Sequence, residues 1–241
     1  MKQKIIYIGL LLLLGGSINI SAQKERYVHP VLGGSINVSA QEERFVRPVD
    51  EGTKDKSFSA FRAKLIEAVK NRDKKYLLSV LDPNITASFG GDAGIKDFKK
   101  MWKIDSSKSK LWDELRVVLS NGGTFSDKKT FAAPYSFNGF PEDLDAFEHQ
   151  VIFGNNVNLR AKPNLSAEIV SNLSYNIVKV DYVNSVSDGK TDATYSWLKI
   201  ETLGGKKGFV SAEFVRSPID YRAIFVKEKG KWKMSAFVAG D

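Results

Sequence analysis

Gly154-Asn155-Asn156-Val157-Asn158-Leu159-Arg160-Ala161-Lys162-Pro163 opens the stretch of sequence that decides the fold. Val157 and Leu159 alternate with polar neighbours, as on a half-buried strand, and residues 160–163 begin a loop. More strand patterns follow. Ile169 and Leu173 form one, and Ile177, Val178 and Val180 form the next. Trp197, Leu198 and Ile200 supply another, and Gly208-Phe209-Val210 the last, with Phe214-Val215 behind it. Residues 184–194 read as a polar loop and Gly204-Gly205 as a turn. Five short strands at close spacing predict a small all-β barrel over residues 151–216. Trp197 is assigned to its core. On that reading Trp197→Ala unfolds the barrel, because deleting a buried aromatic costs about 3–5 kcal/mol.

Residues 57–150 carry a different period. Phe58, Phe61, Leu65, Ala68 and Val69 have helical spacing, with Ser57 as the expected N-cap. Asp73 caps a second helix carrying Tyr76, Leu77, Val80 and Leu81, and Asp82-Pro83 stops it. Ile85, Ala87 and Phe89 alternate as on a strand, and Gly90-Gly91 break that pattern. Asp92 is the expected cap of a third helix with Ile95, Phe98, Met101 and Trp102 on one face. A fourth helix bears Leu111, Trp112, Leu115, Val118 and Leu119 and ends at Asn121-Gly122-Gly123. No strands are evident in residues 124–149. Beyond the barrel, Tyr221-Arg222-Ala223-Ile224-Phe225-Val226 and Trp232-Lys233-Met234-Ser235-Ala236-Phe237-Val238 flank a turn, which predicts a hairpin. Residues 217–241 are therefore expected to pack on the α+β region and complete its sheet. The barrel would then be an insertion; a string of two domains is the alternative.

The barrel signature resembles the bacterial SH3-like domain, a binding module common on exported bacterial proteins. Phe209 stands where that family usually has a tryptophan or tyrosine. The resemblance implies recognition of peptidoglycan or of an envelope protein, with Tyr182 and Tyr195 as the candidate ligand-binding residues. Arg72-Asp73, Leu77-Leu78, Leu81-Asp82-Pro83 and residues 85–94 resemble the opening of nuclear-transport-factor-like α+β domains. Those domains pack a cone of helices on a curved sheet that often encloses a pocket. Phe89, Phe98, Trp102 and Tyr221 are the positions that would line it. The alternative function is therefore a small-molecule pocket protein or weak enzyme built on that region.

The 241-residue chain has no cysteine, which excludes disulfides, thiolate metal sites and cysteine nucleophiles. Its only histidines are His29 and His149, too few for a zinc amidase site, and no serine elbow accompanies them. The acidic run Glu142-Asp143-Leu144-Asp145-Ala146-Phe147-Glu148 reads as a solvated loop. No catalytic residue, metal or cofactor is assigned, and the chain is read as a non-catalytic binding or scaffold protein. The net charge of +8 is spread out: once Lys2 and Lys4 are set aside, none of the segments 23–56, 57–150, 151–217 and 218–241 has an excess above +2. Nucleic acid is not an expected partner, because its binders concentrate charge on one face.

Residues 14–31 and 32–49 are adjacent copies of one 18-residue unit that match at 14 positions. His29 in one copy is Arg47 in the other. Residues 23–56 are read as a flexible tether. Ahead of them, Lys2 and Lys4, the apolar run 5–14 and Ile20-Ser21-Ala22 have the layout of a secretory signal peptide. The apolar run is half what a membrane span needs, about 20 residues. The mature chain is expected to be periplasmic or secreted, without a membrane span. Cleavage is expected after Ala22, and N-terminal sequencing of the exported protein checks it. A chain still beginning at Met1 is the opposing outcome.

Overall fold

The computed structural model describes residues 41–187, 189 and 194–240. The leader and the first repeat copy lie outside the described residues. Asp55 sets the start of helix α1, Lys56–Lys70: its carboxylate accepts the Phe58 N–H at 2.9 Å. The cap is thus Asp55 and not Ser57. The Ser57 hydroxyl is otherwise engaged: it donates to Asp55 at 2.6 Å and accepts the Trp232 indole N–H at 3.0 Å. Asp73 caps α2, Lys74–Val80, and strand β1, Leu81–Thr86, runs straight out of it. Helix α3, Gly94–Trp102, starts behind Ala93 without a side-chain cap. Asp92 does not cap it, because its carboxylate accepts the Ser88 hydroxyl at 2.7 Å. Helix α4 covers Leu111–Ser120.

Residues 124–149, where no strands were expected, hold β2 (Thr124–Asp127), β3 (Thr130–Ala133) and the short helix α5 (Tyr135–Gly139). Strand β4, His149–Ile152, follows. The next strands are β5 (Val157–Arg160), β6 (Ile169–Leu173), β7 (Ile177–Val186), β8 (Trp197–Thr202), β9 (Lys207–Ser211) and β10 (Val215–Arg216). The chain finishes with β11 (Arg222–Glu228) and β12 (Lys231–Val238). The result is a mixed α and β protein with two sheets.

The first sheet has the order β1-β12-β11-β3-β2, and the second β10-β4-β7-β8-β9-β5-β6. Strand β12 pairs parallel to β1, and β11 pairs antiparallel to β3. The β11–β12 turn has positive φ at both Lys229 (46°) and Gly230 (79°). That is the primed geometry whose twist matches the flanking strands. In the second sheet, a Cβ on Gly208 would lie 2.6 Å from the Arg160 carbonyl, so only glycine lets β9 close on β5.

The first sheet is covered by an aromatic core. Phe58 is fully buried and in ring contact with Phe61, Phe125, Phe131, Phe225 and Trp232. Leu65, Leu77, Phe98, Leu111, Leu115, Met234 and Phe237 extend the same cluster. The second sheet buries Leu159, Leu173, Val178, Leu198, Ile200 and Val210 in a separate cluster.

The described part of the expected tether is tied into the fold. Val46 is buried and its N–H donates to the Tyr175 carbonyl at 2.9 Å. The Glu43 carboxylate accepts from Thr202 at 2.6 Å and from Asn176 at 3.1 Å. Arg44 pairs with Asp143, and Asp50 with Arg62, each through two hydrogen bonds. Backbone donors and fixed carboxylates anchor this strap, which its polar composition does not reveal.

Hydrogen bonds from Ser57 and the Phe58 N–H, aided by Lys227, hold the Asp55 carboxyl below the usual carboxylate range. A depressed carboxylate contributes stability at pH values above its unfolded pKa, near 4, and loses it as pH falls through its folded value. Asp55→Ala is expected to cost about 1 kcal/mol at neutral pH, as loss of an N-cap does. The difference from the parent protein should shrink below about pH 4. Urea denaturation at a series of pH values checks both.

Candidate functional site

The second sheet departs from regular pairing at one place. On β7, Asp181 lies opposite Lys199, but the next paired residue is Val186, opposite Trp197. Four β7 residues therefore face a single β8 position, and residues 182–185 bulge out. The bulge is held by its own polar groups. The Asp181 carboxylate accepts from the Asn184 backbone N–H at 3.2 Å and from its side chain at 2.8 Å. The Ser185 hydroxyl donates to the Asp181 carbonyl at 2.8 Å and accepts the Lys199 N–H at 3.0 Å. Asn184 lowers the Asp181 pKa first, with Lys199 adding a smaller effect, so the carboxylate that pins the bulge stays ionised.

This frame carries apolar side chains in water. Val183 is 93% exposed and Tyr182 42%. The Tyr182 and Tyr195 rings lie 5.7 Å apart, tilted by 37°. Tyr195 also packs in part against the buried cluster of the second sheet. The structure thus brings together the two tyrosines singled out from sequence. Val183, the most exposed of the group, had no signal in the alternation, because a bulge breaks the period that reveals it.

Trp197 is not a core residue. On β8 the buried positions are Leu198, Ile200 and Thr202, so Trp197 falls on the opposite phase and is half-buried. Strand period two assigns the faces, and the expectation had placed Trp197 with Leu198, its immediate neighbour.

The expected pocket of the α+β region is packed. Phe98 is fully buried and Trp102 is 9% exposed. Trp102 contacts Phe98, Tyr221 and Phe237, and Tyr221 stacks on Phe237. Phe89 points outward, its ring 5.2 Å from the Arg222 guanidinium carbon. Such a ring–cation contact accounts for an exposed phenylalanine without a ligand. These four positions are core and cover.

The acidic run 142–148 is distributed among separate contacts. Asp143 binds Arg44, Glu148 binds Lys179, and the Asp145 carboxylate accepts the Phe147 N–H. His149, at the start of β4, has its Nδ1 3.0 Å from the Asp145 carbonyl just before the strand. Among the described residues, no group of three or more His, Cys, Asp or Glu side chains is arranged to hold a metal ion. Among them, too, no helix is long and apolar enough to cross a membrane.

Residues 155–216 match the family model of the bacterial SH3 domain. The match covers β5 through β10, and so includes the bulge and both tyrosines. No curated protein is similar enough to the chain to be matched.

The burial phases of β8 give an ordered outcome. Leu198→Ala is expected to cost about 2–5 kcal/mol, as buried leucine truncations do. Trp197→Ala should cost less than Leu198→Ala despite deleting the larger side chain. Chemical denaturation followed by far-UV circular dichroism ranks the two.

Proposed function

We propose that this chain is an exported, non-catalytic binding protein whose bacterial SH3 domain recognises a cell-envelope component, peptidoglycan or an envelope protein, through the β7 bulge. The observation that carries the reading is the bulge itself: an apolar tip, Val183, and a tyrosine pair, held out by a fixed polar frame within the matched domain. Tyrosines are rigid, amphipathic contact residues that lose little conformational entropy on binding. A pre-organised projection also avoids the cost of ordering a loop during association.

Export rests on the N-terminal charged and apolar layout described above. The α+β part supports the domain. Strands β11 and β12 lie between β1 and β3, which favours the reading that the C-terminal hairpin completes the fold into which the SH3 domain is inserted. The packing of Phe98, Trp102 and Tyr221 favours a scaffold over a pocket enzyme at that place.

The test is co-sedimentation of residues 23–241 with isolated peptidoglycan, alongside Val183→Asp and Tyr182→Ala. Binding is expected, and both variants should weaken it. Val183→Asp should leave the melting temperature unchanged, since exposed substitutions shift stability by no more than about 0.5 kcal/mol. Sedimentation equal for parent and variants would overturn the bulge as the site. Absence of sedimentation, with capture of an envelope protein instead, would move the partner to the protein class.

A further inference from the structure

A cleft of about 390 Å³ lies where the strap meets the segments flanking and within the SH3 sequence. Asp50 comes from the strap, Asn121 and Gly122 from the end of α4, Tyr135 from α5, and Phe153 and Tyr175 from the segments around β4 and β7. Its size lies within the range of small-molecule sites, about 300–1,000 Å³.

The chemistry of the lining is one-sided. Three aromatic rings line the cleft, and Tyr135 and Phe153 are stacked 5.0 Å apart within 7° of parallel. No lysine, arginine or histidine lines it, although the chain carries a net charge of +8. Its one ionisable acid is Asp50, whose carboxylate is shared with Arg62 and the Gly52 N–H. The carbonyl end of α4 supplies negative potential, because helix dipoles leave about half a negative charge at the C-terminus. Arg62 neutralises the Asp50 carboxylate, so the pull on a cation comes from the aromatic rings and the C-terminus of α4.

Two features mark the cleft as built and not merely left over. Tyr135, an aromatic ring with a hydroxyl at its tip, is only 3% exposed where it borders the cleft. Burial first, and then the neighbouring Tyr175, push that hydroxyl above the ordinary tyrosine range, so it stays a neutral donor and acceptor. Tyr175 is held at φ 62°, in the left-handed region. A bulky side chain pays strain there that glycine would not, and such strain concentrates at ligand sites.

We propose that this cleft binds a small organic ammonium ion, its charged nitrogen against the Tyr135, Phe153 and Tyr175 rings near the end of α4. The site is separate from the bulge and does not depend on the envelope-binding reading.

The probe is choline, compared with its neutral isostere in which carbon replaces the ammonium nitrogen. Titration of residues 23–241, followed by the ring resonances of Tyr135 and Tyr175, should saturate with choline and be at least about tenfold weaker with the isostere. Tyr175→Gly suits the positive φ, so it should fold and lose choline binding. Phe153→Leu keeps apolar volume, removes the ring, and should weaken choline about tenfold while leaving the isostere unchanged. Val183→Asp should not alter choline binding, which separates this site from the bulge. Equal affinity for choline and isostere, no saturable shift with either, or full choline binding by Tyr175→Gly would each overturn the proposal.

Discussion

The first sheet depends on one ring. Phe58 sits fully buried on α1 and touches aromatic side chains from β2, β3, β11 and β12. Those strands are drawn from chain segments separated by the whole SH3 sequence. No local propensity can bring β3 beside β11; burial of shared apolar surface does. The Asp55 cap fixes where α1 begins and therefore where Phe58 points. The Ser57 hydroxyl then ties that turn to Trp232 on β12. Helix start, ring packing and C-terminal strand thus act as one unit.

A second constraint joins the two sheets. Within a few residues the strap binds Asn176 and Thr202 of the SH3 part through Glu43, and Arg62 of α1 through Asp50. Arg216 of β10 also donates to Glu114 on α4 at 2.8 Å, with the arginine side chain only 11% exposed. Partly buried, bidentate or charge-assisted contacts of this kind are worth more than surface pairs. The SH3 sequence is therefore tied to the flanking fold at β10 and along the strap.

Legibility followed periodicity. The SH3 stretch could be read because its turns are glycine-rich and its buried residues alternate, as Val157 and Leu159 do. Helix α4 was equally plain, with apolar residues at helical spacing and a glycine stop. Strands β2 and β3 were not, because at four residues each they hold too few alternations to stand out. Trp197 was misplaced for another reason: its size suggested the core, while strand phase put Leu198 there. The caps slipped where two candidates competed. Ser57 and Asp92 are good cap residues by type, yet each is engaged by a neighbour, and only geometry decides between them. Of the proposed site, Tyr182 and Tyr195 were named through the likeness to the SH3-like domain. Val183 was not, because a bulge is invisible to a period-two reading.

The strap shows what composition conceals. Its residues repeat a unit found just upstream: Glu43, Arg44 and Val46 of the second copy correspond to Glu25, Arg26 and Val28 of the first. A duplicated, polar, charge-balanced segment reads as linker, because such segments bury too little to order themselves. Here order comes from the surface the strap lies on. Two of its acids, Glu43 and Asp50, meet donors already fixed by the SH3 part and by α1, so the strap is held by polar contacts and few apolar groups. That arrangement needs only Val46 to be buried. It also leaves Pro48 and Val49 beside the aromatic cleft, where they close one wall. The same contacts that bind the SH3 sequence to the flanking fold therefore shape the cleft between them, and any ligand held there would be sensed by both parts.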